Sequence, residues 1–148
     1  MRHAPLSNEQ ILQALSESYN VVAAITKYQV FLTSGIGKIA AWDSNVAYMA
    51  TRRLPAIPIL LAAAALVEVV GSGCVLLGFR ARAAAFVMAP YTAVVTLIFH
   101  DFWNANGMSA LMQRTQFLEN VAIVGGLIAI GVAGAGRFSL DAYLRRQR

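Results

Sequence analysis

The sequence predicts an all-α membrane four-helix bundle, and three observations carry that prediction. The 148-residue chain has a mean hydropathy of +0.59, with 58% hydrophobic and only 13% charged residues. An ordinary soluble domain carries about 25% charged residues. Apolar stretches recur near 20–41, 56–78, 82–100 and 117–135, each close to the ~20 residues a helix needs to cross a bilayer at about 1.5 Å rise per residue. Charges collect outside these stretches, and Lys27 and Glu68 are the two that fall deep inside them. The length fits one membrane domain over residues 1–148, with no room for a separate soluble one.

The elements follow in order. Ser7 and Gln10 have the spacing of a capping box, and Ile11, Leu12, Leu15 and Tyr19 then recur at helical intervals. They predict a short amphipathic N-terminal helix lying at the interface. The first span is too long and too charged for a cleaved signal peptide, and a polar segment precedes it. It is expected to end near Ala41, where Trp42 and Asp43 mark an interface. A loop containing Tyr48, Arg52 and Arg53 leads to Pro55 and Pro58, which suit a helix start because a missing N–H costs least there. The second span stops at Gly78, and the short link carrying Arg80 and Arg82 makes spans two and three antiparallel neighbours. Pro90 predicts a kink in the third span. Residues 101–115 read as a polar loop, and the last span runs out through Gly134 and Gly136 into a basic tail.

Counting Lys and Arg by side sets the orientation. Arg2, Arg80, Arg82, Arg137, Arg145, Arg146 and Arg148 fall on one side, and Lys38, Arg52, Arg53 and Arg114 on the other. The excess places both termini in the cytoplasm, as in a multi-pass protein of the inner membrane. The net charge of +5 does not suggest a nucleic-acid partner, because the basic residues flank spans and share no soluble face. The lipid bilayer is the expected partner.

Polar residues within the spans are the candidate site. Lys27, Phe31, Ser34 and Lys38 share one helix face, with Gly35 beside them for a close helix approach. Eight strongly apolar residues contribute roughly −3.6 kcal/mol to insertion, and one central lysine costs about +3 kcal/mol. Lys27 therefore needs a partner or a wet pocket. Glu68 sits about 15 Å from the inner end of its span and Lys27 about 10 Å from its own, at 1.5 Å per residue. An intramembrane Lys27–Glu68 ion pair follows from depth. Lys38, within about 4 Å of the outer surface on the same arithmetic, would reach Glu68 only through a water or a distorted helix. The plain alternative is that such a pair only fixes helix register.

Thr92, Thr96, His100 and Trp103 share a face of the third span, and Gln113, Gln116 and Asn120 a face of the fourth, with Glu119 adjacent. Lys38, His100, Asp101, Gln116, Glu119 and Asn120 are thus expected in one outer layer, which has the character of a pocket mouth. Wetting by headgroups is the competing explanation.

Several chemistries are disfavoured. The two histidines, His3 and His100, lie near opposite membrane faces, so no metal site is expected. Cys74 is the sole cysteine and reads as a packing residue. Gly71-Ser72-Gly73 and Gly125-Gly126 lie within apolar spans and read as packing glycines, not as a nucleotide loop.

Taken together, several weak motifs resemble the DoxX family of small four-helix membrane proteins. They are Phe31-x-x-x-Gly35-x-x-Lys38, Glu68-x-x-Gly71, Leu76-Leu77-Gly78-x-x-x-Arg82 and Phe99-His100-x-Phe102-Trp103. Asn120-x-Ala122-x-x-Gly125-Gly126 and Gly134-x-Gly136-Arg137-x-Ser139-Leu140-Asp141 complete the series over most of residues 28–141. Some members of that family are linked to quinone-coupled sulfur oxidation and others to oxidoreductase complexes that handle oxidative stress. Lys27 departs from the family pattern, in which an arginine comes about one turn earlier, and this shifts weight to Lys38, Glu68 and His100. The resemblance implies a redox-associated subunit that binds a quinone or similar apolar molecule at Lys38, Glu68, His100, Gln116 and Asn120. No electron carrier is encoded, so turnover would need a bound cofactor or an oxidoreductase partner. A scaffold that recruits another protein, and a small-molecule permease working as a homo-oligomer, are the alternatives.

Overall fold

The computed structural model describes Ser7, Glu9, residues 29–136 and residues 139–147. The expected N-terminal amphipathic helix, Gln10 of the capping box and Lys27 lie outside the described residues. The architecture is all-helical. Helix α1 covers residues 29–40, followed by α2 (Trp42–Ala50), α3 (Ile57–Leu77), α4 (Ala81–Phe99), a 3-10 turn (Phe102–Asn104), α5 (Gly107–Ala133) and α6 (Leu140–Arg146). Three helical segments are long and apolar enough to cross a membrane: Ile57–Leu77, Ala81–Asn104 and Gly107–Ala133.

The helix that holds Lys38 ends at residue 40, where the sequence places the end of the first span. Ala41 leaves the helical basin (φ −113°, ψ 47°), yet its N–H still donates to Gly37 at 2.9 Å and its carbonyl accepts from the Asn45 N–H at 3.0 Å. The Asn45 side-chain amide donates to the same carbonyl at 2.8 Å. This extra donor satisfies the carbonyl at the break, and α2 starts directly after it. Lys38 stands in the last turn of α1.

Local chemistry sets the ends of α3. Pro58 occupies its first turn, and Ala56, in the left-handed region (φ 47°), receives the Ile59 and Leu60 N–H groups at 3.0 and 3.1 Å. At the other end Gly78 (φ 64°) closes a Schellman turn: Phe79 donates to Cys74 at 2.9 Å and Gly78 to Val75 at 3.2 Å. Arg80, also left-handed (φ 46°), starts α4 at once, giving the antiparallel pair the short link predicts. A Cβ on Gly78 would stand 2.4 Å from the Ser139 Cβ. Gly78→Ala is therefore expected to lower the thermal unfolding midpoint in detergent and to free α6, detectable as faster proteolysis after residue 139; unchanged cleavage would contradict this contact.

Helix α4 lies between α3 and α5. Its buried face is Ala81, Ala85, Met88, Ala89, Thr92 and Thr96, a helical repeat that meets Val75 and Leu127 in the core. The Thr92 hydroxyl donates to the Met88 carbonyl at 2.8 Å, and Thr96 to Thr92 at 2.6 Å, so both can be buried without orphaned oxygens. Pro90 is on the exposed side, and the helix runs unbroken through it.

The loop expected over 101–115 is corrected, because α5 begins at Gly107 rather than near 117. Gln113, Arg114 and Gln116 are polar but good helix formers, and Met108, Leu111 and Met112 accompany them. Polarity here marks a helix rising out of the apolar layer. At 27 residues, α5 is about 40 Å long and exceeds the ~30 Å hydrocarbon core.

Candidate functional site

The site is built where α1, α3 and α4 meet. Gly35 permits the approach of α1: a Cβ there would lie 2.7 Å from Val69 Cγ2 and 3.0 Å from Glu68 Cβ. One turn on, the Lys38 Nζ donates to Glu68 Oε2 at 2.8 Å and to the Ser34 hydroxyl at 2.7 Å. From α4, the Tyr91 hydroxyl donates to Glu68 Oε1 at 2.5 Å. The Ser72 hydroxyl donates to the Glu68 backbone carbonyl, which ties the next turn of α3 to the same residue.

Glu68 is only 3% exposed. A buried carboxylate is strongly disfavoured unless its oxygens are paired, and here each oxygen has one charged or polar donor. The Lys38 side chain is 22% exposed, so the amine is partly open while the acid is enclosed. Ser34 and Glu68 engage two of its three N–H groups, and among the described residues the third is left for a further oxygen atom.

The direct Lys38–Glu68 contact corrects the expectation that a water or a distorted helix must intervene. Depth along the helix left out how closely α1 approaches α3 at Gly35, which lets a lysine in the last turn of α1 reach Glu68 directly. Lys27, the other expected partner of Glu68, lies outside the described residues.

The remaining expected site residues do not join this cluster. His100 caps α4 and its Nδ1 is 2.9 Å from Gln113 Oε1. Nine residues of helix separate His100 from Tyr91, about 13 Å at 1.5 Å per residue. Gln116 is exposed and Asn120 half-buried, and neither bonds to Lys38, Glu68 or His100 among the described residues. The single outer layer expected from the sequence is thus two levels, an inner ion cluster and an outer rim.

The rim contains a clasp that charge counting did not reveal. Arg52 donates to Asp101 Oδ1 at 2.7 Å and to the Phe99 carbonyl at 3.2 Å. Asn104 donates to Asp101 Oδ2 at 3.2 Å, and Tyr48 stacks on Phe99 with ring centroids 5.5 Å apart. The Asp101 carboxylate holds the Arg52 guanidinium above its ordinary pKa. Both side chains of the pair keep water contact, at 23% and 20% exposure, so the clasp is a weak tether. Arg52→Gln is expected to cause a small loss of thermal stability that shrinks further as salt is raised; a large, salt-independent loss would show that the clasp is structural.

Tyr91 is the member of the inner cluster that sequence reasoning missed. A tyrosine hydroxyl inside an apolar span needs a hydrogen-bond partner, and that need was the available signal.

Comparison with known proteins matches the sequence to a family. The DoxX profile matches residues 25–101, a range that holds Ser34, Lys38, Glu68, Tyr91 and the Arg52–Asp101 clasp. The chain is 32% identical to the inner membrane protein YphA of Escherichia coli over 122 residues, which is 82% of this chain and 86% of YphA. It is 31% identical to the inner membrane protein YqjF of the same organism over 127 residues, covering 86% of this chain and 92% of YqjF. No solved structure matches the chain. With most of its length aligned to both relatives and three helical segments able to cross a bilayer, this chain belongs to the DoxX family and is a helical protein of the inner membrane.

Proposed function

We propose that the protein is a redox-associated membrane subunit that binds a quinone or a similar small apolar molecule beside Lys38, Glu68 and Tyr91. One observation carries this reading: a carboxylate at 3% exposure inside a membrane span, held between an amine and a phenol. Ionisable groups in the apolar layer mark ligand or proton pathways by default. Quinone reduction and quinol oxidation move protons with electrons. In this scheme the free N–H of Lys38 binds a ligand oxygen and stabilises charge on it. Glu68 takes up or releases the accompanying proton, with Tyr91 holding the second carboxylate oxygen. Electrons pass to or from a partner protein or a bound redox molecule.

The test is purification in mild detergent followed by mass spectrometry and absorbance of co-purifying small molecules. A quinone or related redox-active molecule is expected with the unmodified protein, and markedly less with Lys38→Met. Consistent absence of such a molecule, together with quinone-linked and stress phenotypes that survive both Lys38→Met and Glu68→Gln, would defeat the reading.

A further inference from the structure

The arginine-bearing end of the bundle has a feature that the polar cluster does not use. Helix α6 is fixed there: the Asp141 N–H donates to the Gly78 carbonyl at 3.1 Å, and Ser139 packs on Gly78 and caps α6 by accepting from Ala142 at 3.2 Å. Gly78 ends the apolar run of α3, so this docking holds α6 at the level where the hydrocarbon layer gives way to headgroups. Leu140, Tyr143 and Leu144 have i, i+3, i+4 spacing, share one face and are all exposed. Arg145 and Arg146 lie on the opposite side of α6 and are exposed, as is Arg80 on the α3–α4 turn. Asp141 is the acidic residue on α6, and its backbone is already committed to Gly78.

We infer that α6 and the α3–α4 turn form a binding surface for anionic phospholipid headgroups. Apolar side chains on one face with arginines on the other fit a helix lying in the interface, the aliphatic groups among acyl chains and the guanidinium groups on phosphates. The charge bias puts this end in the cytoplasm, and the cytoplasmic leaflet carries the anionic lipids. Arginine suits the role because its fork binds phosphate oxygens in pairs. A protein partner would also find a basic face, but the exposed leucines and tyrosine at membrane level favour lipid.

The full chain should be reconstituted into nanodiscs of phosphatidylcholine alone and of phosphatidylcholine with phosphatidylglycerol, and amide hydrogen exchange followed over residues 139–147. Exchange is expected to be about tenfold slower in the phosphatidylglycerol discs, and the difference should disappear in Arg145→Gln/Arg146→Gln. Exchange in α3 and α4 serves as the folding control and should not change. Equal exchange of α6 in both bilayers would overturn the inference and leave the face to a protein partner. Phosphatidylglycerol-dependent protection that persists in the double variant would overturn the role of the arginines.

Discussion

Lys38→Met is expected to destabilise the protein by about 3–5 kcal/mol, the usual cost of removing one partner from a buried ion pair. The reason is the asymmetry of the pair. Glu68 is enclosed at 3% exposure whereas Lys38 is partly open, so the loss of the amine strands a carboxylate that keeps, among the described residues, only the Tyr91 bond. Glu68→Gln should cost less, about 1–3 kcal/mol, because an amide oxygen still accepts from a neighbour and the stranded lysine can turn outward. The double replacement Lys38→Met/Glu68→Leu should recover much of the loss, since an apolar pair has nothing to desolvate. Unfolding in mixed micelles measures all three. Additive losses in the double variant would mean that the two groups are not coupled.

Gly35→Leu is expected to push α1 off α3 and to destabilise the protein, though less than Lys38→Met. A Cβ at this position already lies 2.7 Å from Val69 Cγ2 and 3.2 Å from the Val69 backbone nitrogen. Backbone cannot rotate away as a side chain can, so α1 must move off α3. Overpacking of this kind costs about 1–3 kcal/mol, and here the displacement also lengthens the Lys38–Glu68 contact one turn away. Stability and ligand retention should fall together. Gly37→Ala is the matched control, because a Cβ there meets nothing within 4 Å. Equal losses in the two variants would remove the special role assigned to Gly35.

Hydrophobic periodicity located α3 and α4 to within a residue or so, because apolar runs closed by Pro, Gly and Arg have few other interpretations. The end that failed was one where polarity and helix ending part company. Gln113 and Arg114 look like loop residues, yet they lie on a helix that extends beyond the apolar layer. The break expected at Ala41 is where the backbone leaves the helix. Depth arithmetic had the larger consequence, since it takes no account of the close approach at Gly35 and made Lys27 the nearer partner of Glu68. The candidate site was legible in part. Lys38 and Glu68 could be found because charge is rare in an apolar span, whereas Tyr91 counts as an ordinary aromatic until its hydroxyl is asked for a partner. His100, Gln116 and Asn120 could not be separated from the cluster by spacing alone, because equal nominal depth on three helices does not specify which faces turn together.

The Lys38–Glu68 bond joins residues 30 positions apart, and this separation bears on how the chain is made. During synthesis the lysine reaches the membrane before its counter-ion has left the ribosome. A central charge offsets most of the insertion energy of a moderately apolar helix. A helix carrying Lys38 is therefore not secure in the bilayer when it emerges, and its retention depends on the arrival of α3, which itself brings a carboxylate that no lipid can satisfy. Each segment completes the other, so the lysine-bearing helix settles only once Glu68 has followed it out of the ribosome.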